Sequence, residues 1–399
     1  MYNVRNVTDD IVWVGASNRR LALFENIFPI PRGVSYNSYV LLDEKTVLLD
    51  TVDAGVAGQF FENLEYVLGG RKLDYLVVNH MEPDHCAMIG DIVRRYPEVQ
   101  VVGNAKTFTM MKQFFGTDFA ERAVTVKEGD TLSSGKHTLH FVMAPMVHWP
   151  EAMVTYDEMD KVLFSADGFG TFGALNGNIF ADEVDFDRDW LDDARRYYTN
   201  IVGKYGASVQ ALLKKAAGLD IAVICPLHGP VWRENLGYIL EKYQKWSTYE
   251  SEDQAVVIMY ASMYGNTASA ADALAGRLAA KGVKKIAVYD VSNTHVSELI
   301  SEIFRASHLV FAAPTYNAGI YPVMENLLSD MKALAVQKKT VALMENGTWA
   351  AMTAKQMREK LSELKDMTIL DTQITVKSSM AADQADELEA FADAIVESM

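Results

Sequence analysis

Strand-like and helix-like segments alternate regularly along the C-terminal part of the chain, and no other feature of the sequence restricts the possible folds as strongly. Short apolar runs bounded by turn residues are typical of buried strands, whereas apolar residues repeated every three or four positions indicate helices. The strand-like runs cover residues 255–259, 286–288, 309–313 and 341–344, and the helix-like stretches cover residues 267–280, 296–306, 323–334 and 353–364. This alternation predicts a doubly wound parallel sheet, with an acidic amphipathic helix over residues 381–399 covering it.

The preceding part of the chain has shorter strand-like runs and fewer helix-like stretches. The runs cover residues 39–42, 47–49, 75–78, 99–102, 139–142, 161–164 and 221–224, and helical periodicity covers residues 59–68, 190–202 and 209–217. These patterns predict a mixed α/β sheet domain. Between residues 243 and 253 the sequence becomes polar before the apolar pattern restarts, so we expect one domain over residues 1–250 and another over residues 251–399.

The composition argues against several classes of protein. Hydrophobic residues make up 49% of the 399 residues, which is enough for large cores, and the formal net charge of −16 repels the phosphates of nucleic acids and anionic lipids. Two cysteines are too few for a disulfide framework or a zinc ribbon, and we find neither a signal peptide nor a membrane-spanning apolar stretch. We therefore expect a cytoplasmic protein that binds neither nucleic acid nor membrane.

Four potential metal ligands lie close together directly after the strand-like run 75–78. They are His80, Glu82, Asp84 and His85. Two imidazoles and two carboxylates at the end of one strand cannot share a site unless a cation offsets the repulsion between the carboxylates. This stretch therefore predicts a metal site, and a solvated turn is the alternative.

Three later residues stand in the same position relative to a strand. His148 follows the run 139–142, Asp167 follows 161–164, and His228 follows 221–224. Loops at one edge of a sheet converge, so we expect these side chains to meet the first four. Seven ligands are too many for one tetrahedral ion and suit two ions that share a bridging carboxylate. The remaining histidines lie in plain strand or helix contexts and are interpreted as structural or solvated: His137, His140, His295 and His308.

The chemistry of this ligand set favours a redox-active metal. Three ionised carboxylates and one bridging hydroxide carry four negative charges, which balance two divalent ions and favour their oxidation. Such hard ligands suit iron or manganese better than zinc. Cys86 and Cys225 neighbour candidate ligands, but cysteines in such places are more often small buried hydrophobes.

A second candidate site follows the run 255–259, where the chain turns into a helix. Hydroxyl groups, a small turn residue and free backbone N–H groups at a helix N-terminus can together bind an anion. We therefore interpret this loop as an anion site; the alternative is an ordinary turn that only caps the helix. Lysine and arginine are absent from this loop, so a terminal monophosphate fits better than a triphosphate with magnesium. The residues are Ser262, Met263, Tyr264, Gly265, Asn266 and Thr267.

Two further loops that follow strands offer aromatic rings together with backbone amides. An isoalloxazine ring needs such surroundings, namely flat apolar faces and hydrogen bonds at its polar edge, although Tyr316 and Trp349 could instead be packing residues. The loops consist of Pro314, Thr315, Tyr316, Asn317, Ala318 and Gly319, and of Asn346, Gly347, Thr348 and Trp349. A flavin site is the prediction.

Residues 168–173 satisfy the pattern G-x-G-x-x-G after a strand, so a dinucleotide site has to be considered. The residues that follow have no helical periodicity, and a helix is needed there to receive a pyrophosphate. We interpret these glycines as allowing close backbone packing behind Asp167.

The candidate metal ligands resemble those of the metallo-β-lactamase superfamily, whose hydrolases carry H-x-H-x-D-H followed by distant His, Asp and His. Here the second histidine is replaced by Glu82, and this replacement resembles the flavodiiron proteins (A-type flavoproteins), which hold a non-haem di-iron centre. The resemblance implies that His80, Glu82 and His148 bind one iron, that Asp84, His85 and His228 bind the other, and that Asp167 bridges them. Trp149 would then wall the substrate pocket.

The second domain closely resembles flavodoxin, which implies FMN as the cofactor of its three loops. Together the resemblances imply a metallo-β-lactamase-like αββα sandwich followed by a flavodoxin-like doubly wound parallel sheet. They further imply reduction of nitric oxide to nitrous oxide, of dioxygen to water, or of both, with electrons relayed through FMN from a rubredoxin-like donor. A head-to-tail homodimer, or a dimer of such dimers, would bring the FMN of one subunit to the irons of the other.

One family feature departs from this pattern. The stretch from Phe28 to Tyr39 matches the family pattern G-x-x-Y-N-x-Y, but many relatives have a histidine upstream of the glycine, where this chain has Ile30, Pro31 and Arg32. Two other functions remain as alternatives: a zinc hydrolase with an accessory flavodoxin domain, and an electron-carrier flavoprotein whose N-terminal metal site is structural.

Overall fold

Two units make up the computed structural model, which describes residues 1–399. The first unit contains Met1–Tyr198 and Ala207–Tyr243, and the second contains Thr199–Gly206 and Gln244–Met399. The domain limits expected at residues 250 and 251 stay a prediction. None of the helices combines the length and the apolar character that crossing a membrane requires.

The first unit contains sixteen strands, most of them short. In chain order they are β1 (Arg5–Asn6), β2 (Ile11–Trp13), β3 (Ala16–Asn18), β4 (Leu23–Phe24), β5 (Phe28–Pro29), β6 (Val34–Tyr36), β7 (Tyr39–Leu42), β8 (Thr46–Leu49), β9 (Tyr75–Val77), β10 (Gln100–Gly103), β11 (Ala123–Thr125), β12 (Thr131–Ser133), β13 (Thr138–Met143), β14 (Met153–Asp157), β15 (Val162–Phe164) and β16 (Val223–Cys225). The α-helices up to residue 247 are α1 (Ala57–Leu68), α2 (Pro83–Cys86), α3 (Ile89–Arg95), α4 (Ala105–Phe115), α5 (Phe186–Asp189), α6 (Leu191–Tyr197), α7 (Gly206–Ala216) and α8 (Leu236–Ser247).

Two sheets pack face to face in this unit. One has the strand order β1-β2-β7-β8-β9-β10-β11 and the other the order β12-β13-β14-β15-β16. Apolar side chains from both sheets form a single core, for example Leu41 and Val77 from the first sheet and Phe141 and Phe164 from the second. Because strand side chains alternate between faces, the outer faces need their own cover, and amphipathic helices such as α1 supply it. The expected αββα sandwich is confirmed.

The strand directions place the candidate loops. Strands β8, β9 and β10 run parallel to one another, and β15 runs parallel to β16. Strand β13 points the same way as β15, because each of them pairs antiparallel with β14. The loops that follow β13, β15 and β16 therefore leave the second sheet at one edge. The loop after β9 is tied to the start of β14, where the N–H of Met153 donates to the carbonyl of Asn79 at 3.0 Å.

The second unit is built on a parallel sheet. Its strands are β17 (Asp253–Tyr260), β18 (Ile286–Asp290), β19 (Ala306–Tyr316), β20 (Gly319–Ile320), β21 (Thr340–Asn346) and β22 (Thr368–Val376), and its helices are α9 (Asn266–Ala280), α10 (Val296–Arg305), α11 (Pro322–Ala333), α12 (Thr353–Leu361) and α13 (Ala385–Glu397). The order β18-β17-β19-β21-β22 is that of a flavodoxin-like doubly wound sheet, as expected. Leu388 and Phe391 of α13 join the core on one face, so this helix covers the sheet as predicted.

Strand β22 was not predicted from the sequence. It lies at the edge of the sheet, and only two of its nine residues are buried. An edge strand with polar residues on both sides lacks the continuous apolar run that marked the central strands. The predicted helix over residues 190–202 is α-helical only as far as Tyr197 and continues as a π-helix, Tyr198–Val202.

Candidate metal centre and cofactor cavity

A buried carboxylate shapes the loop that follows β9. Asp50 accepts hydrogen bonds from the backbone N–H of Asn79 at 2.7 Å, from its side-chain amide at 2.8 Å and from the N–H of His80 at 3.3 Å. Burial raises the pKa of Asp50 to about 6 in spite of these bonds. Glu82 has extended backbone angles and is the N-cap residue of helix α2, which begins at Pro83. The four candidate ligands of this loop are therefore split between extended and helical backbone.

The first group of ligand atoms consists of His80, Glu82, His148 and one oxygen of Asp167. The Nε2 atoms of His80 and His148 lie 3.3 Å apart, and they lie 3.1 and 3.0 Å from Asp167 Oδ2. Glu82 Oε2 lies 3.3 Å from His80 Nε2 and 2.9 Å from His148 Nε2. His148 reaches this group from the loop between β13 and β14.

The second group consists of Asp84, His85, His228 and the other oxygen of Asp167. The Nε2 atoms of His85 and His228 lie 3.0 Å apart. Asp84 Oδ2 lies 3.3 and 3.4 Å from them, and Asp167 Oδ1 lies 3.3 and 3.5 Å from them. Asp167 therefore directs one oxygen to each group.

The donor atoms fit a pair of metal ions. Both carboxylate oxygens of Asp84 and of Asp167 are buried without a hydrogen-bond partner, which is costly unless another group neutralises them. Metal bonds of about 2.1 Å place neighbouring ligand atoms roughly 3.0–3.4 Å apart in octahedral to tetrahedral geometry. The separations measured in both groups, from 2.9 to 3.5 Å, lie close to that range.

The electrostatics of the cluster also call for cations. Burial opposes the charged forms, but the carboxylates outweigh it and raise the pKa of His148 to about 9 and the pKa of His80 well above its ordinary value. The histidines in turn hold the pKa of Asp167 well below its ordinary value, against the effect of burial. Protons and metal ions are thus alternative ways to neutralise the same three carboxylates.

Aromatic side chains surround the two groups. The ring of Trp149 lies against His80, with ring centres 5.3 Å apart, so Trp149 stands beside the first group. Phe24 and Tyr197 pack against His228, each at 5.4 Å. The hydroxyl of Tyr197 is buried without a partner, and burial together with the charge of Asp167 raises the pKa of Tyr197.

Sequence reasoning missed Glu25, which lies in the turn between β4 and β5. The residue as a whole remains exposed, but its carboxyl group is desolvated and faces Glu82, and these two effects raise the pKa of Glu25 to about 8. Arg32 instead turns away, to an ion pair with Asp193 and the ring of Trp190. The sequence does not predict a role for this carboxylate, because it lies in an exposed turn and only the fold of the hairpin brings it to Glu82.

The remaining histidines have other partners. His137 lies between Asp157 and Asp10, at 3.0 and 3.3 Å, and its ring with Asp157 and Asp160 forms a further group close enough to hold an ion. The others pair with protein groups: His140 with Glu158, His308 with the carbonyl of Ser398, and His295 with Ser297 at the start of α10. Cys86 and Cys225 are buried and belong to neither candidate group.

The glycines of residues 168–173 serve close packing. A Cβ atom on Gly170 would lie 2.9 Å from the ring of Tyr197, and one on Gly173 would lie 2.7 Å from Trp190. No helix follows directly, since the next helical turn is Ala181–Glu183. The loop therefore lacks the helix N-terminus of a dinucleotide site.

The second unit contains a cavity of 490 Å³ at the carboxyl ends of β17, β19 and β21. Its size falls within the range of roughly 300–1,000 Å³ of cofactor pockets. All of the sequence-predicted residues line it except Gly265 and Gly319, and the structure adds Ala350 and Ser378. Gly265 precedes α9 with φ +94°, and its N–H donates to Ser262 Oγ at 3.0 Å.

The cavity offers the groups that FMN requires. The N-terminus of α9, with the hydroxyls of Ser262 and Thr267, suits a phosphate. Tyr316 and Trp349 line the cavity and are 42% and 92% exposed as residues, so both can contact a flat cofactor. Asn346 donates to the Ser378 carbonyl at 3.0 Å and so connects the loops after β21 and β22.

Known family models match both parts of the chain. Residues 34–229 match the family model of the ODP family beta lactamase, and residues 258–394 match that of flavodoxin. The chain is 32% identical to a nitric oxide reductase of Moorella thermoacetica over 375 residues, which are 93% of this chain and 92% of that protein. It is 31% identical to an anaerobic nitric oxide reductase flavorubredoxin of Vibrio vulnificus over 384 residues, 95% of this chain and 76% of that protein.

Solved structures extend this likeness to the whole chain. The rubredoxin oxygen:oxidoreductase of Desulfovibrio gigas superposes with a TM-score of 0.91 at 29% identity, covering 99% of this chain and 98% of that one. The flavodiiron protein of Giardia intestinalis gives a TM-score of 0.92 at 26% identity, covering 100% and 96%. With both domain types present in one chain and full-length relatives above 30% identity, the chain belongs to the flavodiiron protein family, whose cofactors are FMN and a di-iron centre.

Proposed function

We propose that this flavodiiron oxidoreductase reduces nitric oxide to nitrous oxide, dioxygen to water, or both, with electrons relayed through FMN from an external donor such as rubredoxin. The observation that carries the proposal is the division of seven ligand side chains, all buried except the partly exposed Glu82, into two groups that share Asp167. A metal pair held in this way can bind small diatomic molecules at open positions.

We assign His80, Glu82 and His148 to one iron, Asp84, His85 and His228 to the other, and Asp167 to both. When bound, reduced FMN and a ferrous pair each supply two electrons, which together equal the four that dioxygen needs to become water, whereas two molecules of nitric oxide need two. The chain itself provides preorganised anionic ligands, so the positive charge of the metals is compensated before any substrate enters.

Aromatic side chains surround the metal positions. Trp149 packs against His80, and Phe24 and Tyr197 pack against His228; such aromatic surroundings suit small uncharged substrates. Glu25 adds a carboxyl group facing Glu82. Because the pKa of Glu25 is raised to about 8, its carboxyl group is largely uncharged at neutral pH, and these surroundings suit a neutral diatomic gas.

The cavity of the second unit is assigned to FMN through the three predicted loops. Residues 262–267 take the phosphate, and the loops 314–319 and 346–349 take the isoalloxazine ring. The resemblance also suggests a head-to-tail homodimer, or a dimer of such dimers, in the cytoplasm, and a division of the chain into a di-iron domain of residues 1–250 and an FMN domain of residues 251–399.

Two experiments test the proposal. Metal analysis of protein produced with ample iron and zinc should find two irons per chain, and two zinc ions without iron would contradict it. Anaerobic stopped-flow of the fully reduced protein against nitric oxide and dioxygen should show flavin reoxidation much faster than that of free reduced FMN. Reoxidation no faster than that of free flavin would instead indicate an electron carrier.

The names of the relatives support both gases, since the Moorella thermoacetica protein is named for nitric oxide and the Desulfovibrio gigas protein for oxygen. Turnover on each gas with the same reduced rubredoxin decides between them. The protein could turn over neither gas with rubredoxin and yet turn over one of them with a chemical reductant. That result would exclude rubredoxin as the electron donor but would still support the proposed reaction.

A further inference from the structure

His80 differs from the other candidate ligands in what its second ring nitrogen contacts. Its Nδ1 lies 2.8 Å from Oε1 of Glu151, a carboxylate that is 1% exposed. His228 instead uses Nδ1 to donate to the backbone carbonyl of Ser35 at 2.7 Å, and Nδ1 of His85 has no hydrogen-bond partner. Of these three imidazoles, only that of His80, in the first metal group, has a carboxylate behind it.

The contacts of Glu151 determine where the proton of this imidazole lies. Glu151 Oε1 also accepts a hydrogen bond from the backbone N–H of Met81 at 2.8 Å. A backbone N–H can only donate, so Oε1 accepts from Met81, and as part of an ionised carboxylate it also accepts from Nδ1 of His80, which then carries the hydrogen. Nε2 then presents its lone pair to the space shared with Glu82 and Asp167.

Glu151 is itself held in place. Its backbone carbonyl accepts a hydrogen bond from the side-chain amide of Asn104 at 2.6 Å, and Asn104 caps the N-terminus of α4. The position of Glu151 is thus fixed by a helix outside the ligand loops. Asn104 thus holds the backbone of Glu151, while the N–H of Met81 and the ring of His80 hold its carboxylate.

We propose that Glu151 is a positioning residue that fixes the tautomer of His80 and, through its charge, makes this imidazole a stronger electron donor than the other histidine ligands. The inference rests on the proposed di-iron function. A carboxylate behind a ligand imidazole raises its basicity, which strengthens metal binding and favours the more oxidised ion. The two iron positions should therefore differ, with the tighter affinity and the lower midpoint potential at the position of His80, Glu82 and His148.

The test compares Glu151→Gln with Glu151→Asp in the full-length protein carrying FMN. Gln keeps the size and an acceptor oxygen but removes the charge, whereas Asp keeps the charge on a shorter side chain. We expect Glu151→Gln to weaken the affinity for one of two irons about 10- to 100-fold in chelator competition. The midpoint potential of the same iron, followed by EPR during a redox titration, should rise in Glu151→Gln and stay closer to the wild type in Glu151→Asp.

Asp157→Asn is the matched control, because Asp157 is another buried carboxylate that contacts a histidine Nδ1, that of His137, in the same unit. It should lower the thermal midpoint and leave both iron affinities and potentials unchanged. If the wild type binds two irons and Glu151→Gln alters neither affinity nor potential, or alters both as Asp157→Asn does, the inference is wrong and the proposed function stands. If the wild type binds no iron pair, the proposed function itself fails.

Discussion

Asp167 Oδ2 lies 3.1 Å from Nε2 of His80, while its other oxygen points toward the second group of ligands. Asp167→Asn should therefore lower iron at both positions, because a neutral amide offers one acceptor oxygen instead of two anionic ones. We expect less than one iron per chain by elemental analysis, against two in the wild type. Asp220→Asn, at an exposed ion pair with Lys161, should keep both irons. An Asp167→Asn protein with two irons would contradict the shared-carboxylate assignment.

Trp349 tests the flavin cavity, because its ring is 92% exposed at the cavity edge. Trp349→Ala should weaken FMN binding about 2- to 10-fold, the effect expected from losing about 0.5–1.5 kcal/mol of aromatic contact. Titrating flavin-free protein with FMN and following the quenching of flavin fluorescence measures the change. Phe114→Ala, an exposed aromatic residue of the first unit, is the control and should leave the affinity unchanged.

Gly229 follows His228 with φ +75°, and a Cβ atom there would lie 2.0 Å from Cγ2 of Thr171. Gly229→Ala should cost about 2–4 kcal/mol through overpacking and backbone strain, and it should reduce iron at the position of His228. Adding Thr171→Ser, which removes Cγ2, should restore part of the lost thermal midpoint. Gly58→Ala is the control, because it lies in α1 with open space around its Cβ position and should be neutral or stabilising.

His137 should make stability depend on pH. Burial lowers its pKa, but hydrogen bonds to Asp157 and Asp10 outweigh burial and raise the pKa above the ordinary value. The stabilisation of the folded protein by protonated His137 is therefore complete below about pH 6.5, where the histidine of the unfolded chain is also protonated. It is lost as the pH rises through the pKa that His137 has in the folded protein. The difference in thermal midpoint between the wild type and His137→Gln should shrink on going from pH 6 to alkaline pH. His140→Gln should change little at either pH.

Lys339 stabilises the second unit through three hydrogen bonds. Its buried Nζ donates to Ser251 Oγ at 2.7 Å and to the carbonyls of Phe304 and Ala306, both at 2.9 Å. Lys339→Met would remove all three hydrogen bonds, although the Ala306 carbonyl would still accept from Ser251 Oγ, so we expect a loss of about 1–3 kcal/mol, visible as a lower thermal midpoint. The neighbouring exposed Lys338→Met should have almost no effect, and equal effects of the two variants would reject the role of the hydrogen bonds.

Much of the architecture follows from local patterns. The β-α alternation after residue 255 predicts the parallel sheet, because period and turn chemistry are properties of neighbouring residues. The rule that ligands cluster at the ends of strands predicts that His148, Asp167 and His228 meet the four candidate ligands that follow β9, and the structure brings these side chains together in two groups. The identity of each candidate ligand is therefore readable in the sequence, since its residue type and its place after a strand are both local.

Only the tertiary structure decided how the candidate ligands are divided between two groups and which other side chains contact them. The direction of each Asp167 oxygen, the approach of Glu25 from a separate hairpin and the contact of Glu151 with His80 depend on side chains that meet across many residues of chain. Ser378 joins the cofactor cavity in the same way, from the loop after an edge strand that has no apolar signature. Local patterns specify elements and residue types, whereas contacts between distant segments are set by how the elements pack, and no short stretch of sequence encodes that packing.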